Sequence, residues 1–423
     1  MEELSNRNTF RSYLFFWSGQ LFSLMGSLVV QFVITWWVTE ATGSAVYLSI
    51  GMFLYFLPMV IVTPIAGVFT DRWNRKLLLG IADSLQALVT VWIIVLFYLN
   101  QAYPLLVILI ASLRGLCQAF HMPTVSAIVP TMVPKDRLSR INGINYLFTS
   151  LIQLAGPVIG AVFLIFFPIK IILWMDVITF GIAIIPLLMI KIPQVRYVKQ
   201  KKNEISFVKE LKEGIITIKM IPGMLVILFL SMFLNFLITP VEVLLPYYIK
   251  VTHLGAATDL ALIMVLFNSG MILGGVITTL KKEWKHKITT YFLGLMIVMT
   301  IFSVLGFAPT GFFLLMGLSA SLIGLILPIS NTIYMTIIQT TVPPDKMGRV
   351  SSVDQSLSMA IYPIGTIISG PLAEIIGIQN LFIYSAFIGV FITFLAWRFM
   401  KMRYIDFEHQ IELTAEKISN IKI

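Results

Sequence analysis

Asp83, Arg114, Asp176, Glu242 and Asp354 are ionisable residues that lie inside long apolar stretches of this 423-residue chain. A guanidinium at the middle of a bilayer costs about 2.5–3.5 kcal/mol on insertion scales, so Arg114 must face protein and hold a partner. Gln118 and His121 follow it at i+4 and i+7 on the same helical face. Which acid pairs with it is open, and an ion pair that holds two helices together is one reading. Glu242 ends a stripe of Ser231, Asn235 and Thr239. A carboxyl group taken out of bulk water can bind and release a proton near neutral pH, which makes Glu242 the first candidate for proton coupling. Asp354, on the polar stripe of its own stretch, is the second. Asp83 and Asp176 read as packing or ion-pair residues.

A further cluster runs Gly67-Val68-Phe69-Thr70-Asp71-Arg72-Trp73-Asn74-Arg75-Lys76. A carboxylate beside three cations at the end of an apolar stretch can grip a neighbouring helix end and let go when helices move. The cations could instead only set topology, and Asp354 could pair with them. Uncharged polar residues recur at helical spacing elsewhere. Gln20, Ser27 and Gln31 share one face of the first stretch, continued by Thr35. With Asn142, Asn145, Gln153, Asn235, Asn268, Asn331, Tyr334 and Tyr362 they would supply a wet, uncharged cavity wall. About half of such groups serve only to bond one helix to another.

The elements that must carry these residues follow from composition. The chain is 58% hydrophobic and 12% charged, with a mean hydropathy of +0.92; soluble domains carry about 25% charged residues. Apolar stretches long enough to span hydrocarbon fall at 13–38, 46–69, 77–99, 104–122, 141–166 and 169–190. Six more fall at 222–249, 257–280, 288–307, 311–333, 352–374 and 379–400. The expectation is an all-α membrane protein of twelve transmembrane helices. Of the 30 Lys and Arg, 27 fall in one alternating set of loops and ends, with Lys170 and Lys250 alone in the other. That bias puts both termini and the long loops in the cytoplasm of a multi-pass plasma-membrane protein. It also disposes of nucleic acid as the reason for the net charge of +10, since the cations are scattered over short segments. Trp36 and Trp37, near the outer end of the first span, read as interface anchors.

The chain reads as duplicated. Val133-Pro134-Lys135-Asp136-Arg137-Leu138-Ser139-Arg140 is echoed in the second half by Val342-Pro343-Pro344-Asp345-Lys346-Met347-Gly348-Arg349. At the same offset Asn142, Asn145, Thr149, Gln153 and Gly156 fall on Ser351, Asp354, Ser358, Tyr362 and Gly365. Residues 1–190 and 222–400 are thus expected to form two pseudo-symmetric six-helix bundles. The stretch 191–221 is a basic cytoplasmic linker, and 401–423 a cytoplasmic tail. Within the linker, Phe207, Val208, Leu211, Ile215 and Ile218 mark an amphipathic helix expected to lie along the inner headgroups. Parallel six-helix repeats around a central site are a transporter architecture.

The Gly67–Lys76 loop resembles the signature loop of the major facilitator superfamily. It departs at Phe69, usually leucine, and at Asn74, usually glycine, where asparagine should still suit a left-handed turn. The resemblance implies the major facilitator fold, with the first helix of each half lining the cavity. It gives Gly67, Asp71, Arg72, Arg75 and Lys76 a gating role, and links Arg114 to proton transfer. Thr39-Glu40-Ala41-Thr42-Gly43-Ser44-Ala45, Phe56-Leu57-Pro58 and the run from Arg114 to Pro123 look like the macrolide-efflux branch of drug:proton antiporters. Gly156-Pro157-Val158-Ile159-Gly160 is similar to the antiporter motif, although Ile152 and Ala161 stand where that motif prefers glycine. Enterobactin exporters are similar at the same places.

The expected activity is therefore export of an amphipathic small molecule, macrolide-type, in exchange for protons by a carrier acting as a monomer. A siderophore, another endogenous metabolite or uptake are the alternatives. A siderophore is anionic and would ask for a more cationic cavity. No cofactor beyond the proton gradient is expected, and a separate ATPase partner is not indicated. The chain has no Gly-x-x-x-x-Gly-Lys-[Ser/Thr] loop for nucleotide. Its histidines (121, 253, 286 and 409) are dispersed and its one cysteine is Cys117, so neither a metal site nor an enzyme is expected.

Overall fold

A computed structural model describes residues 7–193, 207–281, 284–343 and 346–399. Described residues form fourteen α-helices: α1 (Arg7–Thr42), α2 (Ala45–Arg72), α3 (Arg75–Tyr98), α4 (Pro104–Met132), α5 (Leu138–Phe166), α6 (Ile169–Ile172) and α7 (Trp174–Met189). They continue with α8 (Phe207–Met220), α9 (Met224–Tyr247), α10 (Ala257–Leu280), α11 (Lys287–Phe307), α12 (Phe313–Thr341), α13 (Met347–Ile376) and α14 (Ile378–Phe399). Twelve helices are long and apolar enough to cross a membrane, α6 with α7 making the sixth and α9 extending to Thr252 in the seventh. Several outrun the expected spans. The fourth runs on from 122 to Met132 through Pro123 and Pro130. A helix of 29 residues is about 43 Å long at 1.5 Å per residue, longer than the hydrocarbon layer.

α3 is apolar on the outside and carries its polar residues within. On α3, Ile81, Leu85, Leu88 and Trp92 are exposed along one face, while Asp83 and Thr90 are buried and Gln86 is half-buried. That arrangement inverts the pattern of a soluble helix, as a lipid solvent requires.

The chain forms two compact units, Met1–Gln200 with Val243–Val265, and Lys201–Glu242 with Leu266–Ile423. Their internal packing repeats. In the first unit a side chain at Gly115 of α4 would collide with the backbone carbonyl of Tyr55 on α2. In the second, at the offset of the sequence repeat, one at Gly324 of α12 would collide with the carbonyl of Phe267 on α10. Gly156 of α5 and Gly365 of α13 share that offset. A Cβ there would lie 2.9 Å from Leu28 on α1 and from Thr239 on α9, respectively. Small residues let helix backbones touch where no hydrophobic force drives helices together.

The linker helix differs from expectation. The buried positions of α8 are Gly214, Thr217 and Ile218, whereas Ile215 is exposed. Gly214 lies against the backbone of Arg349 at the start of α13, and Glu213 pairs with Arg349 at 2.8 Å. Ile218 and Ile221 complete a core with Val350 and Val353. Of the face expected to meet headgroups, Ile218 is therefore covered by protein while Ile215 stays exposed. The side chains of Phe207, Val208 and Leu211, like residues 401–423, lie outside the described residues.

Gly115→Val and Gly324→Val should each destabilise the protein by about 1–3 kcal/mol through overpacking. Gly181→Ala and Gly275→Ala, with open space around them, should be neutral or better. Thermal unfolding of the purified protein in detergent measures the difference.

Candidate functional site

Four helices of the first unit converge on a polar column. On α4, Arg114 donates to Asp176 of α7 at 2.9 Å and to Thr90 of α3 at 2.8 Å. Thr90 in turn donates to the same carboxylate oxygen at 2.5 Å, and Ser27 of α1 donates to the other at 2.8 Å. Gln86 donates to Ser27, and Gln118 to Gln86. The Arg114 and Asp176 side chains are each 4% exposed. Two turns from Arg114, Gln20 donates to Asp83 at 3.3 Å, while its carbonyl lies 3.0 Å from His121 Nε2. His121 Nε2 is 3.4 Å from Asp83. Asp83, Gln86 and Thr90 on α3 thus face Arg114, Gln118 and His121 on α4, two stripes with the same helical period. The partner of Arg114 is Asp176.

This placement revises part of the expected cavity wall. Gln20 and Ser27 point into the helix bundle, because the buried acids of α3 and α7 need their donors. Gln31, with Thr35, Tyr47 and Tyr55, borders a cavity of about 50 Å³ within the first unit, room for a few waters only. Trp36 is buried with Lys250 5.5 Å over its ring, so it is no interface anchor. Asn145 is tied to Tyr13, donating to its hydroxyl at 2.9 Å. Asn142 and Gln153 are exposed.

The signature loop divides its labour. Asp71 and Arg72 end α2 and are exposed. Arg75 is buried and donates to the carbonyl of Ala127 on α4 at 2.9 Å. Lys76 donates to the carbonyls of Leu188 and Ile190, at 2.7 and 2.8 Å, capping the end of α7. Two of the five expected gating residues therefore hold helix ends in place. Asn74 sits at φ −68°, outside the left-handed region, and caps α3 by accepting from the amides of Lys76 and Leu77. Gly67 has open space around it.

The second unit is built differently. Glu242, near the end of α9, is exposed and hydrogen-bonded to Tyr362 of α13. Asp354 of α13 accepts from Tyr334 of α12 at 2.6 Å. Tyr334 stacks on Tyr291 of α11, with ring centroids 5.9 Å apart, and the Tyr291 hydroxyl lies 2.7 Å from Ser231 of α9. Asn235 and Asn331 are exposed and Asn268 is half-buried. Among the described residues no Lys, Arg or His pairs with Glu242 or Asp354. No group of three or more His, Cys, Asp or Glu among them could hold a metal.

Residues 16–361 match the model of the Major Facilitator Superfamily. The chain belongs to that superfamily. It is a multi-pass membrane transporter handling small molecules, not an enzyme. Macrolide efflux protein A of Streptococcus pyogenes is 27% identical over 92% of this chain and 96% of its own. The staphyloferrin A transporter of Staphylococcus aureus is 30% identical over 36% of this chain and 38% of its own. A bacterial homologue of the lysosomal transporter Spinster shares the fold, with a TM-score of 0.69 at 14% identity over 93% of this chain and 98% of that one.

Removing one side of the buried pair, by Arg114→Leu or Asp176→Leu, should cost about 3–5 kcal/mol, because each leaves a charge unpaired. The double variant should regain most of that loss. Unfolding temperatures of the three variants, read against the parent, decide the matter.

Proposed function

We propose that this transporter exports amphipathic small molecules of the macrolide type in exchange for protons, by alternating access of two six-helix bundles to a central site. It works as a monomer in the plasma membrane with both termini in the cytoplasm. One observation carries the coupling: Glu242 is a carboxyl group within a membrane-spanning helix, exposed, with a phenol as its polar partner and no ion pair among the described residues. Such a group is free to cycle between charged and neutral forms. Arg114 loses its place beside Glu242, since a fully engaged ion pair is a brace between α4 and α7. The likeness to a macrolide efflux protein along nearly the whole chain supports export.

Export of a siderophore is the second reading, and the partial likeness to a staphyloferrin A transporter favours it. An anionic cargo needs an available cation, however, and Arg114 is spent on Asp176. Asp71 and Arg72, exposed at the inner end of α2, keep the gating role.

Cells carrying the gene should survive higher erythromycin than cells without it, and a protonophore should abolish the difference. One proton crossing 100 mV supplies about 2.3 kcal/mol, enough for a roughly fifty-fold gradient of a neutral solute. Glu242→Gln should forfeit that gradient. Unchanged efflux in Glu242→Gln would remove the coupling assignment, and unchanged efflux in Asp71→Asn the gate.

A further inference from the structure

We propose that Asp354, Tyr334 and Tyr291 form a seat for a cationic group, such as a protonated amine, on the transported molecule. The proposal rests on the export reading above and names the chemistry its cargo must carry. Asp354 has one carboxylate oxygen on the Tyr334 hydroxyl, and Oδ2 makes no hydrogen bond among the described residues. Arg349, on the preceding turn of the same helix, is committed to Glu213. Helices α9, α11 and α12 offer Ser231, Tyr291 and Tyr334, none of them cationic, and on α8, which packs on the start of α13, Lys212 and Lys219 are exposed and make no ion pair with Asp354. A half-buried carboxylate with no counter-ion among the described residues attracts a proton or a cation from outside.

The duplication shows that the fold does not ask for this charge. At the equivalent place in the first unit stands Asn145, and a neutral amide there meets the hydroxyl of Tyr13. An amide suffices to tie such a helix to a tyrosine. The negative charge at Asp354 is therefore surplus to structure. In the first unit, by contrast, both buried acids face basic partners, Asp176 with Arg114 and Asp83 with His121.

The aromatic pair completes the seat. Electron-rich ring faces attract organic cations, most strongly where water is excluded. Tyr291 is buried and held by Ser231, and it backs Tyr334, which is half-buried like Asp354 and so within reach of a ligand. The rings are fixed before the ligand arrives, which saves the cost of ordering them on binding.

The test uses the full-length protein in lipid nanodiscs, with tetraphenylphosphonium as a permanently charged probe. Asp354→Asn keeps an oxygen for Tyr334, as Asn145 does for Tyr13, and should weaken tetraphenylphosphonium binding by roughly tenfold or more, the equivalent of losing one good charge contact. Equal binding by this variant and the parent, at the same unfolding temperature, overturns the seat. Competition supplies a readout that needs no variant. Erythromycin should displace the probe, whereas erythromycin N-oxide, whose N–O group is neutral overall near pH 7, should displace it poorly. Equal displacement by the two would also overturn the proposal. If erythromycin fails to compete while tetraphenylphosphonium binding still depends on Asp354, the seat stands and the macrolide reading falls.

Discussion

Hydrocarbon cannot solvate a charge, and that single fact arranges the interior of this protein. Every ionisable side chain carried into the membrane must find a partner or else be used. The two units answer differently. In the first, Arg114 and Asp176 neutralise each other while Thr90 and Ser27 fill the remaining hydrogen-bonding positions. Breaking that set would leave several groups unpaired at once, so it acts as a brace. In the second, Glu242 and Asp354 have phenols where a counter-charge would be. The two halves of one duplicated chain thus treat their buried and half-buried charges differently.

The duplication explains how two such different interiors fit one scaffold. The close approaches of α2 to α4 and of α10 to α12 depend on glycines at matching places in the repeat, and so do those of α1 to α5 and α9 to α13. Those contacts are made by backbone and small side chains, so they are indifferent to the polar residues beside them. Asn145 can stand at one copy of a position and Asp354 at the other without disturbing the packing.

Much of this was legible before any coordinates. Apolar stretches of spanning length give the helices, and the echo of residues 133–140 at 342–349 gives the repeat. The cost of burying Arg114 predicts that it faces protein. Its partner was not legible, because Asp176 lies two helices further along the chain and spacing within one helix says nothing about which helix lies opposite. The matching periods of Asp83, Gln86, Thr90 and of Arg114, Gln118, His121 were the signal available. Gln20 and Ser27 misled for a related reason: a polar stripe looks the same whether it meets a cavity or another helix. The linker misled because Gly214 and Thr217 do not look apolar, yet both are buried.

The central claim is that Glu242 and Asp354, which make no ion pair among the described residues, are neutralised in turn by protons and by a cationic cargo. Isothermal titration of tetraphenylphosphonium into the purified protein, in buffers of different ionisation enthalpy, counts protons released per cation bound. The account predicts a clear dependence of the apparent enthalpy on the buffer, with protons leaving as the cation enters. Saturable binding with the same enthalpy in every buffer would contradict it.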